Sequence, residues 1–137
     1  MKNRNLNHSD NWATPLELYK KLDDEFGFDY DPCPLHGTGG LDGDWGDRNF
    51  INPPYSRNLK DAFVKKAVEQ AKRGKLCVLL LPVSTSTVLF HEWIQPNAKE
   101  IRFLRGRVKF LGINTKGEYV TNKPPMHDSM IVVLSTP

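Results

Sequence analysis

Phe50-Ile51-Asn52-Pro53-Pro54-Tyr55 is an apolar run that stops at an amide, turns rigidly on two prolines and ends in an aromatic ring. Read as the close of a strand Asn49 to Ile51, it delivers Asn52 to the place where open α/β sheets hold their ligands, outside the carboxyl ends of the strands. Consecutive prolines fix φ at about −65° and remove two backbone N–H donors. The Asn52 side-chain oxygen and the Pro53 carbonyl can then accept hydrogen bonds from one planar NH2 group. Tyr55 can stack on the ring that carries it. An amine conjugated with a ring is a poor nucleophile. Two acceptors on its N–H bonds favour pyramidalisation and return electron density to nitrogen, a preorganised field for attack on an electrophilic carbon. The plainer reading is a strand closed by a Pro-Pro turn with a packed Tyr55.

Towards the N-terminus, Phe28-Asp29-Tyr30-Asp31 alternates and predicts a short strand closed by Pro32. Cys33 to Gly40 is a Gly-rich loop of the kind that lets a nucleotide approach the backbone. It lacks the full G-x-G-x-x-G spacing, and the Asp- and Gly-rich run Leu41 to Arg48 that follows predicts an irregular loop rather than a helix. Further upstream, Thr14 is a good N-cap, Pro15 suits the first helical position and Glu17 completes a capping box. Leu18, Tyr19, Leu22 and Phe26 form one apolar face, and Gly27 stops the helix. Capping accounts for Thr14 and Pro15 but not for Trp12 just outside. Residues 1–11 are polar without periodicity and are expected to be a flexible arm.

Towards the C-terminus, Asn58 can cap a helix carrying Leu59, Ala62, Phe63, Ala67 and Ala71, with Gly74 at its stop. Leu76 to Leu81 is a continuous apolar run, which suits a central parallel strand buried on both faces. Ser84 to Thr87 offers caps for a short helix with Val88, Leu89, Phe90, Trp93 and Ile94, ended by Pro96. Ile101, Phe103, Val108 and Phe110 alternate with basic residues about Gly106, which predicts strands or a hairpin. Gly112 to Asp128 has no periodicity, and loops of that length in small domains carry function or move. Met130 to Leu134 is a last strand. Strands alternating with helices predict a compact α/β three-layer fold with a mainly parallel sheet and a terminal antiparallel element.

The chain of 137 residues is expected to form one domain, residues 12–137, behind the arm. Its 39% hydrophobic and 26% charged residues are those of an ordinary soluble globular protein. A net charge of +3 permits nucleic-acid binding without requiring it. Cys33 and Cys77 follow neither metal-ligand spacing nor a disulfide framework, so no metal and a reducing cytoplasm are expected. Leu76 to Pro82 is too short an apolar run to cross a membrane.

The order of these pieces resembles the phage-type DNA adenine methyltransferase family, from about Asn11 to Val133. The marks are WATP at 12–15, FDYDPC at 28–33, Trp45, FINPPYS at 50–56, LLLP at 79–82 and GRVKF at 106–110. The resemblance implies a Rossmann-like fold that transfers a methyl group from S-adenosylmethionine to the amino nitrogen of adenine in DNA. It makes Asn52, Pro53, Pro54 and Tyr55 the catalytic motif. Trp12, Thr14 and Pro15 become holders of the methionine part of the cofactor, and Asp31 and Pro32 a cofactor loop. Phe110 resembles the residue that helps to hold the flipped base, beside the alternative of a core aromatic. One departure is evident. Larger relatives have a helix, a further strand and a ribose-binding acid where only residues 41 to 51 stand here. Asp42, Asp44 or Asp47 is then a candidate for the ribose, and Trp45 for stacking on the cofactor adenine.

Arg105, Arg107 and Lys109 would share one face of a strand. With Arg102, Arg57 and Lys60 they are candidates for a phosphate-binding rim, and for a merely solvated face otherwise. With few residues left for base recognition, the target sequence is expected to be short, read by the loop or by a second subunit of a homodimer. The setting implied is the cytoplasm of a bacterial host of a phage or prophage. The same motif also serves cytosine amino methylation and protein glutamine methylation. A catalytically silent relative that binds DNA or blocks a host protein is a further alternative. The basic residues favour DNA over a protein glutamine, and the intact motif favours an enzyme.

Overall fold

The computed structural model describes residues 13–33, 40–54, 56–110, 112–113, 119–120 and 127–135, with the backbone alone for 112–113 and 119–120. The arm at 1–11, Trp12, the Gly-rich loop at 34–39, Tyr55 and most of the segment after Phe110 lie outside the described residues. In chain order the elements are α1 (Leu16–Phe26), β1 (Arg48–Ile51), α2 (Arg57–Lys72), β2 (Leu76–Pro82), a π-helix (Leu89–Ile94), β3 (Glu100–Phe103), β4 (Gly112–Ile113), β5 (Tyr119–Val120) and β6 (Ser129–Leu134).

Among the described residues, β1, β2, β6 and β3 form one sheet in that order. β1 and β2 are parallel, with Phe50 opposite Val78 and Ile51 opposite Leu79. β6 lies between β2 and β3 and runs against both. The expected mainly parallel sheet is therefore corrected to a mixed one, although β1, β2 and β3 all point the same way. The reason lies in burial. All six residues of β6 are buried, and such a run needs cover on both faces and both edges. The half-exposed β3 takes the edge instead.

The strands alternate between two apolar clusters. Ile51, Cys77, Leu79, Leu81, Met130, Val132 and Leu134 meet Phe63, Val64, Ala67 and Val68 of α2 and Phe90 and Ile94 of the π-helix. Phe50, Val78, Leu80, Ile131 and Val133 meet Leu22, Leu18, Tyr19 and Phe26 of α1 on the other face. Burying Phe50 and Ile51 completely stabilises the fold by roughly 1.5–3 kcal/mol each.

Other local expectations change for identifiable reasons. Pro15, not Thr14, is the N-cap of α1, and no side-chain cap bond forms. Gly27 ends α1 in the left-handed region, as its position suggested, with φ 66°. The predicted strand at 28–31 reduces to a single parallel bridge between Tyr30 and Asn49. α2 starts at Arg57 behind Ser56 rather than at an Asn58 cap. No hairpin forms about Gly106, where φ is 74°. Leu104, Val108 and Phe110 pack instead against the α1-side cluster and fold the chain over the helix. Within the aperiodic span Gly112 to Asp128, β4 and β5 pair as a small antiparallel ribbon.

Residues 40–47 are stitched to α2. The Trp45 indole is buried, 5% exposed, and stacks on Phe63 at 6.4 Å. Its Nε1–H donates to the Gly40 carbonyl (2.7 Å) and its backbone N–H to Gln70 Oε1 (3.2 Å). Lys66 Nζ donates to the carbonyls of Leu41 and Gly43, and Lys75 Nζ to that of Trp45. Gln70 is fully buried, so its amide is the polar anchor of this segment. Replacing it by leucine (Gln70→Leu) strands the Trp45 N–H without a partner. A loss of about 1–3 kcal/mol in unfolding free energy is expected by urea denaturation. An unchanged midpoint would mean that the anchor contributes nothing.

Candidate active site

Three segments distant in sequence converge at the carboxyl end of β1. The Tyr30–Asn49 bridge is parallel, and Phe50 N–H donates to the Tyr30 carbonyl at 3.0 Å. Three residues further along each segment, Cys33 therefore comes to Asn52, and its thiol donates to the Asn52 carbonyl at 3.3 Å. α1 brings the third segment. Tyr19 meets Phe50 edge-on at 5.1 Å and Phe28 at 5.8 Å, while Phe28 lies 5.3 Å from Phe50. This aromatic cluster holds α1 across β1, and the chain just before the helix then reaches the motif. Asn52 Nδ2–H donates to Thr14 Oγ1 at 3.2 Å.

That bond has a chemical consequence. A side-chain amide can present either of its ends, and the network around it decides which. Thr14 fixes the place of the Asn52 amide, and its hydroxyl, able to donate as well as accept, can hold either end of it. The threonine expected as a helix cap thus acts on the amide. Asn52 and Pro54 are half-buried and Pro53 is buried, so the turn is rigid without being sealed.

Burial pushes the Cys33 thiol far above its ordinary range, and the Asp31 charge adds to this. Cys33 is therefore a neutral hydrogen-bond donor and not a nucleophile. The backbone N–H of Cys33 donates to Asp31 Oδ1 at 2.9 Å. Asp31 keeps a solvent-exposed edge, yet desolvation by the surrounding chain pushes its carboxyl up, opposed in part by that bond. Among the described residues it makes no ion pair. The 40s loop closes tightly on this segment. A Cβ on Gly40 would lie 1.7 Å from the Pro32 carbonyl oxygen, and one on Gly46 2.4 Å from Asp29 Oδ1.

Other sequence candidates are placed differently. Buried Trp45 has no open face for an adenine stack, because Phe63 and the Lys66 ammonium cover it. Asp44 is paired with Arg73 at 2.6 Å near the C-terminal end of α2, and that guanidinium holds its carboxyl below the usual range. Asp47 precedes β1, at the opposite end of the strand from Asn52. Asp42 is exposed. Phe110 packs half-buried against the α1-side cluster.

The basic residues do not form one rim. Arg102 is bound by Glu25 and Glu100, both at charge-assisted hydrogen-bond distance. Arg107 pairs with Asp128. Arg105, Arg107 and Lys109 do not share a strand, but they line an open groove of about 360 Å3 whose other wall is Pro15, Glu17 and Lys21. This sets them beside the segment that carries Thr14. Arg57 and Lys60 line a different groove, between α2 and the π-helix. Sequence reading missed the Cys33 contact and the role of the Thr14 hydroxyl. Aligning FDYDPC and FINPPY as parallel neighbours would have found the first.

No helix among the described residues is long and apolar enough to cross a membrane. Comparison with known proteins bears on the assembled site. The family described as DNA N-6-adenine-methyltransferase (Dam) matches residues 2–136. The chain is also 37% identical over 106 residues to the DNA N-6-adenine-methyltransferase of Escherichia phage T1, covering 67% of this chain and 43% of that protein. The chain thus spans less than half the length of the curated relative it matches. With a family match across nearly its whole length, and with Asn52-Pro53-Pro54 closing β1 as the motif requires, the chain belongs to the DNA N-6-adenine-methyltransferase family.

Proposed function

We propose that this chain is an S-adenosylmethionine-dependent methyltransferase acting on the 6-amino group of adenine in DNA, built on a reduced Rossmann-like three-layer fold. The observation that carries the proposal is the Asn52 amide at the carboxyl end of β1, hydrogen-bonded to Thr14; its oxygen and the Pro53 carbonyl would be the two acceptors for one planar amine. When bound, S-adenosylmethionine supplies an electrophilic methyl group and departs as S-adenosylhomocysteine, with one proton released overall.

The chain's own residues do the rest. Adenine leaves the duplex at a cost of a few kcal/mol. Tyr55 stacks on the extruded ring, and Asn52 and Pro53 accept its two amino N–H bonds, raising electron density on nitrogen in a fixed field. Pro54 keeps that turn rigid. Once alkylated, the amine is acidic enough to lose its proton to water. Trp12, Thr14, Pro15 and Pro32 border the cofactor, and Trp45 shapes the wall behind the 40s loop. Asp31 fits a cationic cofactor, since it is a crowded carboxyl without an ion pair among the described residues, at the same end of β1 as Asn52. Phe110 borders the base site, and Arg105, Arg107, Lys109 and Arg57 face the phosphates.

Incubation with methyl-labelled S-adenosylmethionine and mixed-sequence DNA, followed by nucleoside analysis, tests the reading. Label is expected in N6-methyladenine, with a drop of about a hundredfold or more in Asn52→Ala and cofactor affinity within a few-fold. Label in methylcytosine, or an active Asn52→Ala, would overturn it.

Asp31 gives a second expectation. Its folded value is raised, so the stability linked to its protonation is full below the unfolded value and is lost as pH rises through the folded one. Asp31→Asn should therefore stabilise the unliganded protein at neutral pH. A bound cation favours the carboxylate, so wild-type cofactor affinity should weaken as pH falls through the raised value, and binding there should release protons. Calorimetry in buffers of different ionisation enthalpy reads that release. Its persistence in Asp31→Asn would show that Asp31 is not the group involved.

A further inference from the structure

The groove between α2 and the π-helix encloses about 560 Å3 at the carboxyl end of β2, the same end of the sheet as Asn52. That volume lies within the range of small-ligand sites, roughly 300–1,000 Å3. Its α2 wall carries Arg57, Lys60 and Lys65 against a single acid, Asp61. Whereas Arg73, Arg102 and Arg107 are held by carboxylates, neither Arg57, Lys60 nor Lys65 makes an ion pair among the described residues. The first turn of α2 contains no acid, so nothing there offsets the positive end of the helix. Opposite stands Trp93, half-buried, with Lys65 Nζ 5.3 Å from its ring centroid. The floor is apolar, made by Leu81, Ile94 and Met130.

A cationic rim, an aromatic wall and an apolar floor together match a nucleotide within a strand. Phosphate answers the rim and would draw the Lys65 ammonium off the Trp93 ring, leaving that ring a face for a base. The groove does not suit the proposed cofactor, which carries net positive charge and no phosphate. α2 begins directly after the motif, so the groove adjoins the place where an extruded adenine would sit. We infer that this groove binds the strand flanking the target nucleotide, with its phosphodiester on Arg57, Lys60 and Lys65 and a neighbouring base against Trp93. The inference rests on DNA being the substrate, and it assigns the groove a task separate from that of Asn52.

The test is binding of a fluorescent mixed-sequence duplex from about 50 to 200 mM salt, with Lys60→Gln/Lys65→Gln compared with wild type and with the remote pair Lys20→Gln/Lys72→Gln. Each lost phosphate contact lowers the slope of log affinity against log salt by about 0.9, so the groove pair should lower it by roughly 1.8 and the remote pair should leave it unchanged. Thermal unfolding confirms that each variant folds. A duplex substituted with 5-bromouracil should crosslink to Trp93 on irradiation. An unchanged slope and affinity in the groove pair, with wild type binding normally, overturns the groove alone. A wild type that binds no DNA overturns the DNA reading, and the groove assignment falls with it.

Discussion

The aromatic contact of Phe50 with Tyr19 and Phe28 is the constraint on which the site depends. Phe50 and Ile51 are adjacent on a strand and so point to opposite faces, and both are completely buried. A one-residue slip of β1 would expose both to the wrong partners, so its register is strongly fixed. Asn52 is the next residue, and its position follows from theirs. The same Phe50 cluster carries α1, and α1 carries Thr14 to the Asn52 amide. Packing thus sets the place of the functional group and brings Thr14 to it.

Charge is divided between fold and function. Lys66 and Lys75 tie the 40s loop to the body through backbone carbonyls, and Arg73 holds Asp44. Arg102 joins α1 to β3 through Glu25 and Glu100. Lys66, Lys75 and Arg73 are thus spent on residues 41 to 45. Further cations line the two grooves, Arg57, Lys60 and Lys65 in one and Arg105, Arg107 and Lys109 in the other. A polyanion meeting these grooves would meet positive charge in each, which favours encounter at low salt.

Much of this was legible in the residues. The apolar faces of α1 and α2, the double burial of β2, and Asn52 at a strand end all follow from periodicity and turn chemistry. Strand direction was not legible, because an all-apolar run such as Ser129–Leu134 demands an internal slot without saying which way it runs. The same ambiguity affected Val108 and Phe110, whose alternation suggested a strand but whose burial comes from packing on α1. Trp45 looked like a ligand stack and is a core anchor, since an isolated aromatic in a polar loop carries no sign of where it points. Thr14 satisfied a local capping rule, yet a long-range partner claimed its hydroxyl.

The central claim is that Thr14 sets the amide of Asn52, and single-turnover methyl transfer at saturating cofactor tests it most directly. Thr14→Ser keeps the hydroxyl and should retain a rate within a few-fold of wild type. Thr14→Val keeps the shape without the acceptor and should lose about tenfold or more, equivalent to about 1.4 kcal/mol in the barrier, while cofactor affinity stays within a few-fold. A valine variant as fast as wild type, or one whose whole loss lies in cofactor affinity, would contradict the account.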